Sequence, residues 1–227
     1  MLPSIQLTSA VVLLTAVKAA PAPQLLPTPG DASKFTFYSP LTPNAGPCDI
    51  CTGPDGAIWV EDILVNKIQR IDPSTGHVDE YDIPYTTQAL DYSVVPSLEN
   101  RTAFACAIRP GTDGNIYAAT GIRNQFVRVN VTTKKIDVFT PTPPNPLGNL
   151  QPFNDLWTGP EGMYFSQTTG NVISYFDYAT EQFTNYPVPT PLAGPLGMIY
   201  AADSALWFCE FTGNKIGRLE PSTGRIT

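Results

Sequence analysis

Hydrophobic and polar positions along this chain follow a period close to two, in short apolar runs separated by turn-forming residues. Such alternation indicates β-strands rather than helices. Within residues 45–84 the pattern predicts four strands, at 48–51, 57–61, 67–71 and 78–81. The breaks at 53–56 and 72–76 combine Pro, Asp and Gly, the residues that tight turns prefer. We therefore expect an all-β protein.

The chain is also an internal repeat, because residues 35–79 recur at 183–227 without a gap. Two weaker copies lie between them, so that one asparagine position is repeated in Asn66, Asn124, Asn171 and Asn214. Repeats of about 40 to 50 residues with four short strands each are typical of propeller blades. We expect a β-propeller of four-stranded antiparallel blades, with four blades at about 45–84, 103–141, 151–187 and 193–227.

The sequence order of the strands raises the question of closure. Residues 35–38 match 183–186, the outer strand of the third repeat, whereas the last repeat lacks an outer strand of its own. If 35–38 complete the last blade, the four blades close into a ring without exposed edges. The alternative is that the chain is a fragment of a longer propeller with seven blades.

Two further positions hold the same type of residue in all or most of the four repeats. Large aromatic residues occupy one strand position, where they can fill the wedge between blades: Trp59, Tyr117, Tyr164 and Trp207. Arginine occupies another, with Tyr175 as the exception in the third unit: Arg70, Arg128 and Arg218. We interpret both positions as structural, with the arginine stems covering a blade and their heads pairing with local carboxylates.

Composition narrows the class of partner. The net charge is −7 and only 15% of residues are charged, against 11% aromatic residues. An acidic chain lacks the basic face that nucleic acids or anionic membranes require. We therefore expect neither of these partners, and a monomer if the ring closes.

The first residues resemble a targeting segment, since the apolar run 10–17 precedes small residues and a Pro-rich stretch. We expect a signal peptide at 1–19, a loose Pro-rich leader at 20–34, and secretion to the extracellular space. An oxidising compartment permits N-glycans at the acceptor sequences of Asn100 and Asn130. It also permits disulfides, and Cys48 and Cys106 occupy the same position in adjacent units, so a bridge between them is conceivable.

Several motifs together resemble the repeats of the virginiamycin B lyase family, the streptogramin lyases. They are Pro-x-Ala-Gly-Pro from Pro43 and from Pro191, Asp-Gly-x-x-Trp ending at Trp59, and Asn-Lys-Ile-x-Arg followed by Pro-Ser-Thr-Gly. The resemblance extends from residue 35 to the end, apart from an insertion at about 85–102. It implies a seven-bladed propeller that opens a cyclic peptide ester by elimination, with Mg²⁺ in the funnel and a histidine as general base.

The site residues that the resemblance implies are only partly present. The position of the family's catalytic histidine is occupied by Cys48, Cys106, Asn154 and Leu196, and the only histidine, His77, falls in an outer turn. We therefore assign no catalytic residue. The family's acidic position retains Asp62 and Glu210, which are candidate Mg²⁺ ligands or else polar strand ends. The candidate ligand-binding funnel comprises Cys48, Asp49, Cys106, Asn154, Asp155 and Gln167.

Two functions of different classes remain open. One is a secreted carbon-oxygen lyase acting on cyclic peptide esters, although the expected histidine is missing. The other is a non-catalytic propeller that binds a small molecule or a cyclic peptide, and a gluconolactonase-like lactone hydrolase is a third possibility.

Overall fold

The computed structural model describes residues 36–84, 106–121, 125–141 and 154–227. The predicted signal peptide, the leader, Asn100 and Asn124 lie outside the described residues. The described residues contain only strands, turns and irregular segments, and no helix among them is long and apolar enough to cross a membrane.

Sixteen strands are described, and each repeat contributes four of them. The first repeat contains β1 (Pro47–Thr52), β2 (Ile58–Asp62), β3 (Lys67–Ile71) and β4 (Val78–Asp82). The second contains β5 (Ile108–Pro110), β6 (Ile116–Thr120), β7 (Gln125–Val129) and β8 (Ile136–Phe139). The third contains β9 (Leu156–Thr158), β10 (Gly162–Gln167), β11 (Val172–Asp177) and β12 (Phe183–Pro187). The fourth contains β13 (Pro195–Tyr200), β14 (Leu206–Glu210), β15 (Lys215–Glu220) and β16 (Arg225–Ile226).

Each repeat folds into one antiparallel sheet whose strands follow chain order. The first strands of neighbouring sheets lie against one another, β1 with β5, β5 with β9 and β9 with β13. We call these four strands the innermost strands and the four sheets blades 1 to 4. The all-β prediction of four-stranded antiparallel sheets is confirmed.

The core lies between successive blades, where the repeated aromatic position is buried. Trp59 and Tyr117 are 0% exposed and Tyr164 is 3% exposed, because the next blade covers each of them. Trp207, at the same position of blade 4, is 37% exposed. At the other end, Ile50 of blade 1 is 60% exposed, whereas the equivalent Ile108 is 0% exposed. Among the described residues, no blade therefore covers Ile50 of blade 1 or Trp207 of blade 4 in the way that their counterparts are covered.

Of the two alternatives that the sequence left open, the closed ring is not formed by the described residues. The outer neighbour of β15 is β16, which pairs through Ile226 and Arg225, and residues 36–40 belong to no strand. Among the described strands, β13 has no contact with β1 comparable to those between the other innermost strands. Tyr38 instead lies against Gly76 of blade 1, as Tyr186 of β12 lies against Gly224 of blade 4. The sequence match between the two segments therefore has a structural counterpart. In each segment the tyrosine packs against a turn glycine of the blade that follows it in the chain, Gly76 of blade 1 or Gly224 of blade 4.

The repeated asparagine explains how one blade is joined to the next. Asn171 adopts a left-handed conformation with φ of 58°. Its amide donates to the carbonyls of Val188 and Thr190, and its oxygen accepts the N–H of Ala193, at 2.7 to 3.0 Å. Asn66 similarly donates to the carbonyl of Ile83. These bonds satisfy backbone groups that the link between blades would otherwise leave without partners.

Candidate functional site

The start of the innermost strands brings together most of the predicted funnel residues. We call the segment formed by residues 48–49, 106–109 and 154–157 the mouth. Cys48 and Cys106 form a disulfide across it, with their Cα atoms 5.3 Å apart. This bridge ties blade 1 to blade 2 at the position where the resemblance places a catalytic base.

Asp49 connects the same two blades through polar contacts. Its Oδ2 accepts the N–H of Ile108 at 3.0 Å and a hydrogen bond from the guanidinium of Arg109. Arg109 also lies over the ring of Trp157, with its Cζ 5.6 Å from the ring centroid. A cation over an indole face is stabilising when it is partly shielded from water. The arginine therefore joins blades 1, 2 and 3 at the mouth.

Asp155 repeats in blade 3 the role of Asp49 in blade 1. Its carboxylate accepts the N–H of Leu156 at 2.8 Å and, across to blade 4, the N–H of Met198 at 2.9 Å. Arg109 Nη2 is 3.6 Å from Asp155 Oδ1. Burial raises the pKa of Asp155, while the N–H of Met198 and the charge of Arg109 oppose that rise. Asp49, Arg109 and Asp155 thus form one chain of charges along the innermost strands.

Asn154 and Gln167 differ in what they offer a ligand. Asn154 is 5% exposed, and its Nδ2 has no hydrogen-bond partner among the described residues. A buried amide without a partner is costly, so this N–H₂ group is a candidate donor to a ligand oxygen. Gln167 is fully buried and donates to Ser174 Oγ of β11 at 2.7 Å. Gln167 therefore packs within blade 3 rather than in the charge chain of the mouth.

Glu61 was missed by the sequence analysis. Its side chain is fully buried in β2, where Oε2 accepts the N–H of Ala107 at 2.9 Å and Oε1 has no partner among the described residues. Burial raises the pKa of Glu61 well above its ordinary range, and the neighbouring carboxyls of Asp49 and Asp62 raise it further. Burial therefore favours the protonated form of Glu61, which lies behind the mouth between blades 1 and 2.

The two candidate metal ligands do not resemble a magnesium site. Both oxygens of Asp62 accept hydrogen bonds from the amide of Gln69, at 2.6 and 2.8 Å. Glu210 is buried with Oε2 unpartnered, but it belongs to blade 4. In the part of the chain that the structure describes, no three His, Cys, Asp or Glu side chains converge as metal ligands would. Because Mg²⁺ needs an oxygen-rich octahedral shell, these residues fit it poorly.

His77 lies on the outer turn of blade 1, as the sequence analysis expected. Its side chain is 68% exposed, and Nε2 is 3.0 Å from Asp79 Oδ1. It therefore lies at the opposite edge of the blade from β1. Neither Arg109 nor Trp157 was predicted at the mouth, because their strand position holds Cys51 and Ile199 in the other blades and shows no repeated chemistry.

Comparison with known proteins finds solved structures whose fold is similar to that of this chain. No protein-family model and no curated protein matches the sequence. The crystal structure of selenomethionine-substituted virginiamycin B lyase from Staphylococcus aureus is similar, with a TM-score of 0.70 and 28% identity over 85% of this chain and 58% of that chain. A catalytically inactive variant of that lyase with quinupristin gives a TM-score of 0.69 and 27% identity, with the same shares of both chains covered.

A streptogramin B lyase structure is similar at a TM-score of 0.68 and 24% identity, covering 85% of this chain and 57% of that chain. These structures confirm the β-propeller fold of the lyase superfamily. This chain spans a little under three fifths of the lyases that it matches.

Proposed function

We propose that this protein is a lyase-like propeller that binds a small molecule or a cyclic peptide at the mouth, and that its four described blades do not break the ligand. The observation that carries the proposal is the Cys48–Cys106 bridge, which occupies the expected position of the base in a fold similar to virginiamycin B lyase. A disulfide has no lone-pair base of useful strength and no proton to exchange.

The other titratable groups near the mouth support binding more than chemistry. Elimination requires a base within hydrogen-bond reach of the proton that leaves the carbon α to a carbonyl. Asp49 and Asp155 are occupied by backbone N–H groups and by Arg109. Glu61 is enclosed, and burial raises its pKa. Each of these carboxyl groups is therefore either engaged by donors of the protein itself or buried away from a substrate.

The mouth nevertheless offers groups that suit a cyclic peptide. Such a ligand presents backbone carbonyls, amides and apolar side chains. The amide of Asn154 can donate to a carbonyl oxygen, and the Arg109–Trp157 pair provides a flat surface that combines an aromatic face with a cation. Quinupristin, present in one of the similar lyase structures, is the natural first probe.

Calorimetric titration with quinupristin, with and without Mg²⁺, tests the proposal. We expect saturable binding that Arg109→Ala weakens about tenfold or more, since it removes both the cation and the packing on Trp157. His77→Ala, on the outer turn, is the matched control and leaves the affinity unchanged. Absence of binding at saturating protein would overturn the proposal.

The same samples test carbon-oxygen lyase activity, the second candidate, which the likeness to virginiamycin B lyase favours. Elimination opens the ester ring without changing the mass of the ligand, so the products are separated by chromatography and identified by their new carbon-carbon double bond. We expect only the cyclic ligand. Turnover to the linear product would replace the binding proposal by the lyase.

We further propose that the protein is secreted. The disulfide between blades 1 and 2 supports an oxidising compartment, where such bridges persist. Asn130 is half-exposed in a turn, where its Oδ1 accepts the N–H groups of Thr132 and Thr133. Expression in a eukaryotic secretory host tests both ideas: the medium should contain the protein, and glycosidase treatment should lower its mass.

A further inference from the structure

The repeated arginine position carries a pattern that blade 3 breaks. In three blades an aromatic residue pairs across strands with an arginine: Trp59 with Arg70, Tyr117 with Arg128, and Trp207 with Arg218. In blade 3 the corresponding pair is Tyr164 with Tyr175. The third blade therefore lacks the cation that every other blade places beside its aromatic residue.

Each of the three arginines neutralises acidic groups near its blade. Arg70 Nε is 2.8 Å from Asp55, and Arg218 Nε is 3.1 Å from Asp203. Arg128 contacts Asp137 at 2.9 Å and Glu181 at 2.8 Å. Between blades 1 and 2 a second cation, Lys134, lies 5.2 Å from the centroid of Trp59. At these blades carboxylates, aromatic rings and cations thus occur together.

The junction between blades 3 and 4 has the rings and the carboxylates, but no described Lys or Arg lines it. An open groove of about 340 Å³ lies there, bordered by the turn at Pro221 and lined chiefly by Tyr164, Tyr175, Tyr186, Tyr200, Glu161 and Asp177. The ring of Tyr164 is 4.9 Å from that of Tyr175 and 5.8 Å from that of Tyr200. Tyr175 lies over Gly162, where any Cβ would overlap its ring. We call this feature the tyrosine groove.

The charge of the groove is negative. The N–H and hydroxyl of Thr180 lower the pKa of Asp177, which therefore stays ionised. Glu161 has no ion-pair partner among the described residues. A second open groove, also lined by Glu161 and Asp177, brings the carboxyl group of Asp113 close to them. Burial and the nearby carboxylates raise the pKa of Tyr175 to about 12, so the phenol remains neutral. Four tyrosine rings beside two carboxylates favour a cation over any anion.

We propose that the tyrosine groove binds an organic cation of the guanidinium or alkylammonium type, in the place that an arginine of the chain occupies in the other blades. The rings contact the faces of the cation, and Glu161 and Asp177 supply its counter-charge. The cation is either a free small molecule or the side chain of a peptide. None of the residues of the mouth lines this groove, so the inference does not depend on the proposed function.

The first probe is Nα-acetyl-arginine amide, called arginine amide below, and its binding is followed by NMR of the tyrosine rings or by calorimetry. The uncharged isostere is Nα-acetyl-citrulline amide, called citrulline amide below; acetylation removes the α-ammonium charge from both probes. We expect arginine amide to bind at least tenfold more tightly than citrulline amide. Tetramethylammonium and a short peptide with a central arginine distinguish the sources: a peptide that binds more tightly than arginine amide identifies a peptide side chain, and equal or weaker binding identifies a small cation.

Variants give the sharper test. Tyr175→Arg supplies the missing cation from the chain itself and should abolish binding, whereas Tyr175→Phe keeps the ring and should retain binding. Glu161→Gln should weaken binding about five- to tenfold. Asp203→Asn, in blade 4, is the matched control and should not change it. Equal binding of citrulline amide, binding that survives Tyr175→Arg in a variant with wild-type circular dichroism, or no binding of any cation would overturn the inference.

Discussion

The bridge between Cys48 and Cys106 permits the most quantitative prediction. Replacing both residues by alanine removes the only covalent link that the described residues show between blades 1 and 2. The two cysteines are 58 residues apart in sequence. Loop-closure entropy for a loop of that length corresponds to about 4 kcal/mol at 25 °C, and measured disulfide contributions are about 2–4 kcal/mol. We expect the double variant to lose about 2–4 kcal/mol of unfolding free energy, a large share of the roughly 5–15 kcal/mol typical of domains.

Urea unfolding followed by tryptophan fluorescence, without reductant, measures this loss. Cys209→Ala, at an exposed free cysteine, is the control and should unfold like the wild type. Burial raises the pKa of Cys51 to about 12, so its thiol stays protonated and should not exchange with the bridge. Adding reductant should bring the wild type to the stability of the double variant. A double variant within about 0.5 kcal/mol of the wild type would refute the reasoning.

Two further changes probe the blades. The folded-state pKa of Glu61 is raised, so the wild type loses unfolding free energy as pH rises above the ordinary carboxyl range. Glutamine does not titrate. Glu61→Gln should therefore be more stable than the wild type by a margin that grows with pH. Urea unfolding from pH 4.5 to 8.5 should show a gain of about 1 kcal/mol or more at the upper end, and a constant difference would contradict the raised pKa. Asn171→Ala should lower the unfolding free energy by about 3 kcal/mol, because it removes hydrogen bonds and places alanine in a left-handed conformation. Asn171→Gly loses the same hydrogen bonds without the strain and should lose about 1 kcal/mol less. Equal losses would mean that the backbone conformation contributes nothing.

The strand pattern was readable from sequence because burial between blades imposes alternation on every repeat. The strand predicted at 67–71 is β3 to the residue, and the one at 57–61 is offset by one residue from β2. The aromatic position was likewise predictable, since Trp59 and Tyr117 must fill a wedge. Position alone, however, does not specify pairing: the segment 35–38 matches an outer strand in sequence, but its described residues 36–38 form no strand.

The mouth was harder to predict than the fold. Cys48, Asp49, Cys106, Asn154 and Asp155 were found because they occupy repeated positions at the strand starts. Arg109 and Glu61 were missed, because each occurs once and acts by contacting a neighbouring blade. Contacts of this kind depend on the distance between blades, which a repeat pattern does not contain. The sequence shows that Tyr175 replaces the repeated arginine in blade 3. It does not show that Glu161 and Asp177 lie beside that tyrosine.

The three tryptophans provide the most direct test of the central claim, that a ligand binds at the mouth without being opened. Trp157 lies there beneath Arg109, whereas Trp59 is buried between blades 1 and 2 and Trp207 lies on the outer face of blade 4. Indole ¹⁵N–¹H spectra recorded during a quinupristin titration should show saturable shifts of the Trp157 signal alone, with the ligand recovered in its cyclic form. Shifts confined to Trp59 or Trp207, or recovery of a linear product, would contradict the account.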